Sequence, residues 1–501
     1  VGTRLPNPWL ESDRQDAAAA PAGVAHVAGG GLAAGAGSPA GEGARRGEIL
    51  ETAAALFASS GYVSTSLKEI ADACGILPGS LYHHFESKEA IVIELLTRYQ
   101  AELDAIGNCA LELVSGRDAA PPAFEQILSL ATAIAGSAVR NRAAHQLTFY
   151  EPPSGASREL VELSRRRPLA VNAAMQEVLH RCQAAGFIKP GIDVFVLAQQ
   201  LSHALRQVGI AYLNHGPADQ IAATLCHMLC FGVATRPPSD AQLDRSPAAA
   251  AAEAAVRAWA VPKDEGLKDK VAALRSVARA EFARRGYEAT TIRDIAAAAG
   301  VGTGTVYRII ESKEALVVSV MDAFHRRVSD GYDAVLATRS DTVAKLDALT
   351  WLNINARDLF SEEFAIQQSW LRTTPPAAAV NLGSLHDERT RQIGALVAEG
   401  FRAGELRAGH MGPEYQGTEC PGTAYMGTEY TGTAYTGAGT PSIDQLANCV
   451  RNLIWVPRQV TALQRKRQAL RHSRATFLRG AAVAAAVAGA VDGVTGATGA
   501  R

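Results

Sequence analysis

Along most of this chain apolar residues recur every three or four positions, the spacing of a helix that buries one face. Ile49, Ala53, Leu56 and Phe57 make such a stripe, which ends at Gly61. Ser66 and Glu69 then stand at capping-box spacing and start a second helix, and Gly75 permits the left-handed turn that ends it. A third, very short helix follows in "GILPGSLYHHFESKE", residues 75–89. Only Leu81 and Phe85 share an apolar face there, at i and i+4, so most of this helix is turned toward something other than the core. Helix, glycine-containing turn and helix predict a helix-turn-helix.

The pattern occurs twice. Residues 49–92 align without a gap on residues 274–317 at a constant offset of 225, with Thr291-x-x-Asp294 and Gly300 repeating the cap and the turn. That period is far above the tens of residues of a solenoid, so a whole domain is duplicated. A long helical region follows each unit, with helix-period residues such as Phe195, Leu197, Leu201 and Leu205 in the first. Pro-rich residues 235–266 read as a mostly flexible linker that includes a short helix at 248–260. In "GTECPGTAYMGTEYTGTAYTGAGT" a five-residue motif recurs, which fits neither helix nor core strand and reads as an exposed low-complexity loop.

The expected fold class is therefore all-α, two tandem units, each a helix-turn-helix followed by a helical body. The boundaries expected are a disordered arm at 1–43, a first head at 44–98, a first body at 99–234, a linker at 235–266, a second head at 267–322, a second body at 323–480 with an insertion at 412–440, and a disordered tail at 481–501.

Composition narrows the function less than pattern does. A length of 501 residues suits two to four domains, and a formal net charge of -1 gives no global pull toward nucleic acid or membrane, so such a partner must meet a local patch. Seven scattered cysteines without a CxxC pair fit a reducing cytoplasm. Cys226-His227-x-x-Cys230 has ligand-like spacing but lies in an apolar helical run and lacks a second ligand pair, so neither metal nor cofactor is expected. No secretory leader is read in the first forty residues, and the apolar C-terminal stretch is too short and too weak to span a bilayer. There is no G-x-S-x-G, Walker loop, H-E-x-x-H or complete dinucleotide fingerprint; "GVGTGTVY" lies on a helix and not after a strand, so no enzyme is expected.

A helix that enters the major groove needs small residues where its backbone approaches and donors on its outer face. Gly79, Ser80, Tyr82 and His83 form that face in the first unit, with Thr303, Gly304, Thr305, Tyr307 and Arg308 in the second. Phosphates on either side suit hydroxyls, imidazoles and cations near helix starts. Thr65, Ser66, Lys68, His84 and Lys88 supply them first, and Thr290, Thr291, Arg293 and Lys313 second. In the second copy Ile309 and Ile310 replace His84 and Phe85, so one phosphate donor is lost there.

On these residues both units resemble the DNA-binding domain of the TetR family of bacterial transcriptional regulators. The specific part is Thr-Ser/Thr-x-x-x-Ile-Ala-x-x-x-Gly followed by Gly-x-x-Tyr-x-x-x-x-Ser-Lys-Glu, from Thr65 to Glu89 and again from Thr290 to Glu314. The resemblance implies a regulator, expected to be a repressor, that binds a double-stranded DNA operator through two heads. It also implies that the bodies bind a small-molecule effector and dimerise. Two heads in one chain are similar to the fused double-TetR regulators of actinobacteria, some of which control lipid-import operons, and imply an intramolecular pseudo-dimer. The first unit resembles regulators of sterol catabolism more than the second does, which points the effector toward lipid, sterol-derived or acyl-CoA chemistry. Phe124, Phe149, Tyr150, Trp351, Phe360, Phe364 and Trp370 are candidates to line its pocket. The alternative is a ligand sensor that acts through protein contacts with one or both heads off DNA. The basic run at 458–479 reads as the solvated face of a late helix, with a third nucleic-acid surface as its rival.

Overall fold

Each head closes around a small core that its own caps position. The computed structural model describes residues 39–62, 64–115, 122–149, 156–211, 216–260, 270–287, 289–373, 380–407, 441–456 and 465–483. In the first head, α1 (Pro39–Ser60), α2 (Leu67–Ala73) and α3 (Pro78–His84) bury Ile49, Phe57, Ile70, Leu81 and Phe85 together. The second repeats this with α14 (Lys270–Arg285), α15 (Ile292–Ala298) and α16 (Thr303–Ile309), burying Phe282, Ile295 and Val306. Both capping boxes form: Glu69 N donates to Ser66 Oγ at 3.2 Å, and Asp294 N to Thr291 Oγ1 at 3.2 Å. Gly75 and Gly300 take φ of 65° and 66° with open space around them, so conformation and not crowding demands glycine there.

Each head is followed in the chain by the helices of a body. The first body comprises α4 (Lys88–Ser115), α5 (Ala123–Arg140), α6 (Arg142–Phe149), α7 (Arg158–Arg165), α8 (Leu169–Ala184), α9 (Val194–Arg206), α10 (Val208–Ala211) and α11 (Ala218–Phe231). After α12 (Asp240–Asp244) and α13 (Pro247–Ala260), the second comprises α17 (Lys313–Leu336), α18 (Thr342–Leu359), α19 (Ser361–Thr373), α20 (Val380–Arg402), α21 (Ile443–Ile454) and α22 (Lys466–Ser473), which runs into a π-helix, Arg474–Leu478. The described residues hold no strand, only the isolated bridges Ile188–Ala482 and Ala234–Leu406, so the all-α expectation holds.

Those bridges belong to a reciprocal joint. Val233 N donates to Phe477 O at 2.9 Å, as Ala481 N does to Leu229 O at 2.9 Å. Ala234 N to Leu478 O is matched by Ala482 N to Cys230 O, Thr235 N to Glu405 O by Val483 N to Phe187 O, and Arg407 N to Val233 O by Lys189 N to Ala481 O. The segment leaving the last helix of each body thus pairs with the glycine turn of the other, the mutual pattern of an isologous contact. Gly232 and Gly480, at φ 74° and 80°, cross at its centre. Beside it Gln445 Nε2 donates to Gln220 Oε1 at 2.8 Å in a buried contact between the halves.

The helix expected in the linker at 248–260 forms as α13, but the flexibility expected around it needs correction. Its described part, 235–260, is built into the fold. Ser239 and Gln242 form a capping box, and the alanine-rich α13 is a strong helix former whose Ala248, Ala252 and Trp259 make a buried stripe. Trp259 Nε1 donates to Arg327 O at 2.9 Å while Arg327 Nη2 donates to Trp259 O at 2.6 Å, which fastens α13 to α17. The basic run at 458–479 is described from 465 on. There the helix has a solvated face, with Arg465, Arg467 and Arg471 exposed, and a buried side formed by Ala469, Leu470, His472 and Ser473. Lys466 pairs with Asp358, Arg467 with Glu253, Arg474 with Asp347 and Asp244, and Arg479 with Asp240, so Arg474 and Arg479 are held by carboxylates of the chain itself.

The described aromatic candidates for a pocket are packed against other side chains. Phe124 meets Phe187 and Phe231 at a tilt, Phe360 meets Trp259 and Phe324 edge-on, Phe364 meets Phe324 and Trp455 edge-on, and Trp351 lies under Arg467. Residues 1–38, 261–269 of the linker region, the insertion at 412–440, the tail from 484, the basic run before 465, Tyr150 and the side chains of Phe149 and Trp370 lie outside the described residues. Among the described residues no helix is long and apolar enough to cross a membrane.

Candidate nucleic-acid interface

On α3, Leu81 and the capping Phe85 turn inward, which leaves Gly79, Ser80, Tyr82 and His83 on the outer face. Tyr82 is 56% exposed and its counterpart Tyr307 58%, unusual for tyrosines with no external partner. On α16 Thr303, Gly304 and Arg308 are exposed, Thr305 is half-buried, and Val306 is the inward residue. An added Cβ at Gly79 or Gly304 would meet nothing within 4 Å. Neither glycine is demanded by packing inside the head, so both leave the backbone open to an external approach.

Flanking this face, Lys68 and Arg293 are exposed near the first turns of α2 and α15, and His84 is half-buried at the end of α3. Ser66 and Thr291 are exposed, but their hydroxyls are committed at both ends. Each accepts from its cap and donates to the box carboxylate, Ser66 Oγ to Glu69 Oε2 at 2.8 Å and Thr291 Oγ1 to Asp294 Oδ2 at 2.6 Å. The bond from Ser66 N–H to Glu69 Oε2 at 2.7 Å, with that from its hydroxyl, holds the Glu69 carboxyl below the usual carboxylate range, and the Thr291 hydroxyl and N–H do the same for Asp294.

Four expected phosphate donors are structural instead. Thr65 and Thr290 are buried, and their hydroxyls donate to Gly61 O and Gly286 O, each at 2.8 Å, closing the turn between the first two helices of each head. Lys88 Nζ donates to Tyr62 O at 2.7 Å and Thr65 O at 2.8 Å and lies 4.4 Å from the centre of the Tyr62 ring. Lys313 likewise donates to Thr290 O at 2.9 Å and lies over Tyr287 at 4.3 Å. Burial pushes the Lys88 ammonium below its ordinary value, with Glu69 opposing. The lysines that open α4 and α17 therefore clamp the turn from behind.

Lys88→Ala should accordingly lower the stability of the first head by about 2 kcal/mol, the scale for charge-assisted bonds to carbonyls, and leave the salt slope of DNA binding unchanged. Urea unfolding and a salt titration measure the two. An unchanged unfolding midpoint with a slope about one unit smaller would restore the phosphate role.

The sequence reading missed an apolar leading edge. Leu77, the N-cap of α3, is 76% exposed, and Val301 is exposed just ahead of α16. An apolar residue outside the Leu81–Phe85 stripe was the available signal. Such a side chain suits the methyl group of a thymine, and its place in the second head is taken by Gly302.

The chain matches the family model described as "Bacterial regulatory proteins, tetR family" at residues 49–95 and 274–320, the two heads. It is 49% identical over 77 residues to the HTH-type transcriptional repressor KstR2 of Mycobacterium tuberculosis, a match over 14% of this chain and 38% of that protein. To the repressor of the same name in Rhodococcus jostii it is 54% identical over 56 residues, 11% of this chain and 28% of that one. The chain thus spans less than half the length of these curated relatives. The solved structure of the ketosteroid transcriptional regulator KstR2 of Mycobacterium tuberculosis is 30% identical, covers 36% of this chain and 89% of that one, and gives a TM-score of 0.30. With the tetR-family model matched once at each helix-turn-helix, this chain belongs to the tetR family of bacterial regulatory proteins and carries the family's N-terminal domain twice.

Proposed function

We propose that the chain is a sequence-specific DNA-binding transcriptional repressor of the bacterial cytoplasm, that a single chain supplies both reading heads, and that its operator is asymmetric. The observation that carries this reading is the pair of unlike outer faces on the two heads of one chain. Leu77, Ser80, Tyr82 and His83 stand on the first, Thr303, Thr305, Tyr307 and Arg308 on the second. Two identical heads would select a palindrome, because half-sites mirror protein symmetry. The reciprocal joint supports pairing of the bodies within one chain, with the heads about one DNA turn apart, roughly 34–36 Å. A small molecule held in the bodies would alter that spacing and release DNA. The likeness of the first head to KstR2, described as a ketosteroid transcriptional regulator, favours a lipid-derived effector.

The test is a site selected from random DNA, followed by binding to versions with each half scrambled separately. Arg308 is suited to pair bidentately with a guanine, so Arg308→Ala should lose about 10- to 100-fold at one half-site and leave the other intact. Affinity should also fall by orders of magnitude between low and moderate salt. A perfectly palindromic selected site, or an Arg308→Ala variant with both preferences unchanged, would overturn the asymmetric reading.

A further inference from the structure

The second body buries an arginine, Arg389, on which no carboxylate acts among the described residues. Arg389, on α20, points its guanidinium at the Tyr332 ring, 5.6 Å from its centre, and its Nε and Nη2 are buried without a hydrogen-bond partner. Tyr332, on α17, is fully buried and donates to Asn353 Oδ1 at 2.8 Å; Asn353 donates in turn to Ile454 O at 3.3 Å, which fixes the amide. Arg451, on α21, is buried, donates to Asn448 Oδ1 at 2.9 Å and acts electrostatically on the same tyrosine. His325, one helical face along from Tyr332, is 4% exposed, and its Nδ1 has no hydrogen-bond partner.

Burial pushes the Arg389 guanidinium below its ordinary value, and the Tyr332 phenol pulls the other way. Burial, then Arg389, pushes the His325 imidazole down to about 4. Among the described residues no carboxylate acts on Arg389, although a buried cation costs several kcal/mol unless it is paired.

The first body shows that these residues are not required by the fold. Counting along α4 and α17 from Lys88 and Lys313 sets Gly107 against Tyr332 and Gln100 against His325. Counting back from the turn glycines Gly186 and Gly404 sets Val171 against Arg389, and matching Leu197-Ala198 with Leu446-Ala447 sets Ser202 against Arg451. Gly107 and Val171 are themselves neighbours: a Cβ on Gly107 would lie 2.5 Å from Val171 N. Where two helices meet backbone to backbone in the first body, the second places a tyrosine and an arginine, and the first buries a different arginine, Arg206, beside Tyr99.

We propose that the second body holds a site for the oxyanion head, carboxylate or phosphate, of a small molecule, with Arg389 as its chief anchor, Arg451 adding positive charge, and His325 and Tyr332 beside them. The proposal rests on the reading that the bodies sense a small molecule. An acidic ligand supplies a countercharge to Arg389 that is absent among the described residues, so its binding and the stability of the second body are linked.

The test uses the full chain without DNA, so that a failure to bind DNA leaves it intact. Inorganic phosphate, octanoate and uncharged octanol are titrated against wild type, Arg389→Gln and Arg389→Lys, with calorimetry and the thermal unfolding midpoint as readouts. At least one anion should bind saturably and raise the midpoint, octanol should not do so through this site, and Arg389→Gln should weaken the anion at least tenfold, with Arg389→Lys between the two. Binding of phosphate identifies a phosphate head, and binding of octanoate alone a carboxylate on an apolar tail. Without ligand, Arg389→Gln should unfold at a higher temperature than wild type, because it removes an unpaired buried charge. Saturable binding of neither anion, equal binding by wild type and Arg389→Gln, or an Arg389→Gln chain that is less stable or does not fold would each overturn the site.

Discussion

Gly480→Ala should lower the stability of the chain by about 3 kcal/mol or more, from two costs of similar size. The first is conformational: φ at Gly480 is 80°, in the left-handed region, where an L side chain costs about 1–2 kcal/mol. The second is steric, because the new Cβ would sit 2.4 Å from Phe231 C, 2.6 Å from Cys230 O and 2.7 Å from Gly232 N. Those are backbone atoms tied into the reciprocal joint, so they cannot swing aside as a side chain would, and overpacking of this kind costs about 1–3 kcal/mol. Gly186→Ala separates the two costs. Its φ is 79°, but nothing lies within 4 Å of an added Cβ, so only the first cost should appear. Urea unfolding of both variants decides the matter: equal losses would mean that the bodies do not cross closely at Gly232 and Gly480. Because the joint sets how the two bodies face each other, a Gly480→Ala chain that still folds should also bind the two-half operator less well than wild type.

The heads were legible in the sequence because their signals are local. A cap, a glycine turn and a two-residue apolar stripe all fall within about twenty-five residues, and each formed as read, with Ser66, Gly75 and Leu81 in the expected places. Lys88 and Thr65 were misread for the same reason. A lysine opening a helix looks solvated when only its neighbours along the chain are considered, but its partners, Tyr62 O and Thr65 O, are more than twenty residues back. The joint between the bodies was not legible at all. Its bonds link positions such as Lys189 and Ala481, nearly three hundred residues apart, and the participating groups are backbone atoms, which leave no mark on the side-chain pattern. The helix in the linker was legible in its alanine run, but its attachment was not: the buried face ends at Trp259, whose Nε1 donates to Arg327 O, 68 residues on.

That linker also bears on how the two halves are coupled. α13 is fastened to α17, the helix that runs from the second head into the body, by the paired Trp259 and Arg327 bonds, and Trp259 packs so tightly that a Cβ on Gly331 would lie 2.8 Å from its ring. The segment joining the halves is therefore part of the wall against which the second head's long helix rests. A shift of α17 cannot leave α13 in place.

Asp347→Ala should be among the most damaging single changes in the second body, at about 3–5 kcal/mol, the range for breaking a buried ion pair from one side. Arg474, 3% exposed in its side chain, donates to Asp347 Oδ1 and Oδ2, both at 2.8 Å, and to Asp244 Oδ1 at 2.7 Å. Burial works against its charge, yet the bonds from Asp347 more than offset this and hold the guanidinium above its ordinary range. Asp244 belongs to α12 in the linker, and its side chain is half exposed, so Asp244→Ala should cost at most about 1 kcal/mol. Removal of Asp347 leaves the buried guanidinium with partners at its solvent-facing end only. Replacing both members, Asp347→Leu with Arg474→Met, should recover most of the loss, because no unpaired charge then remains in the core. Unfolding midpoints of the two single variants, Arg474→Met alone and the double variant complete the cycle, and limited proteolysis reports whether 236–246 has come away from the body. If Asp347→Ala costs no more than Asp244→Ala, or if the double variant is as unstable as Asp347→Ala, Arg474 is not the anchor that ties the linker to the second body.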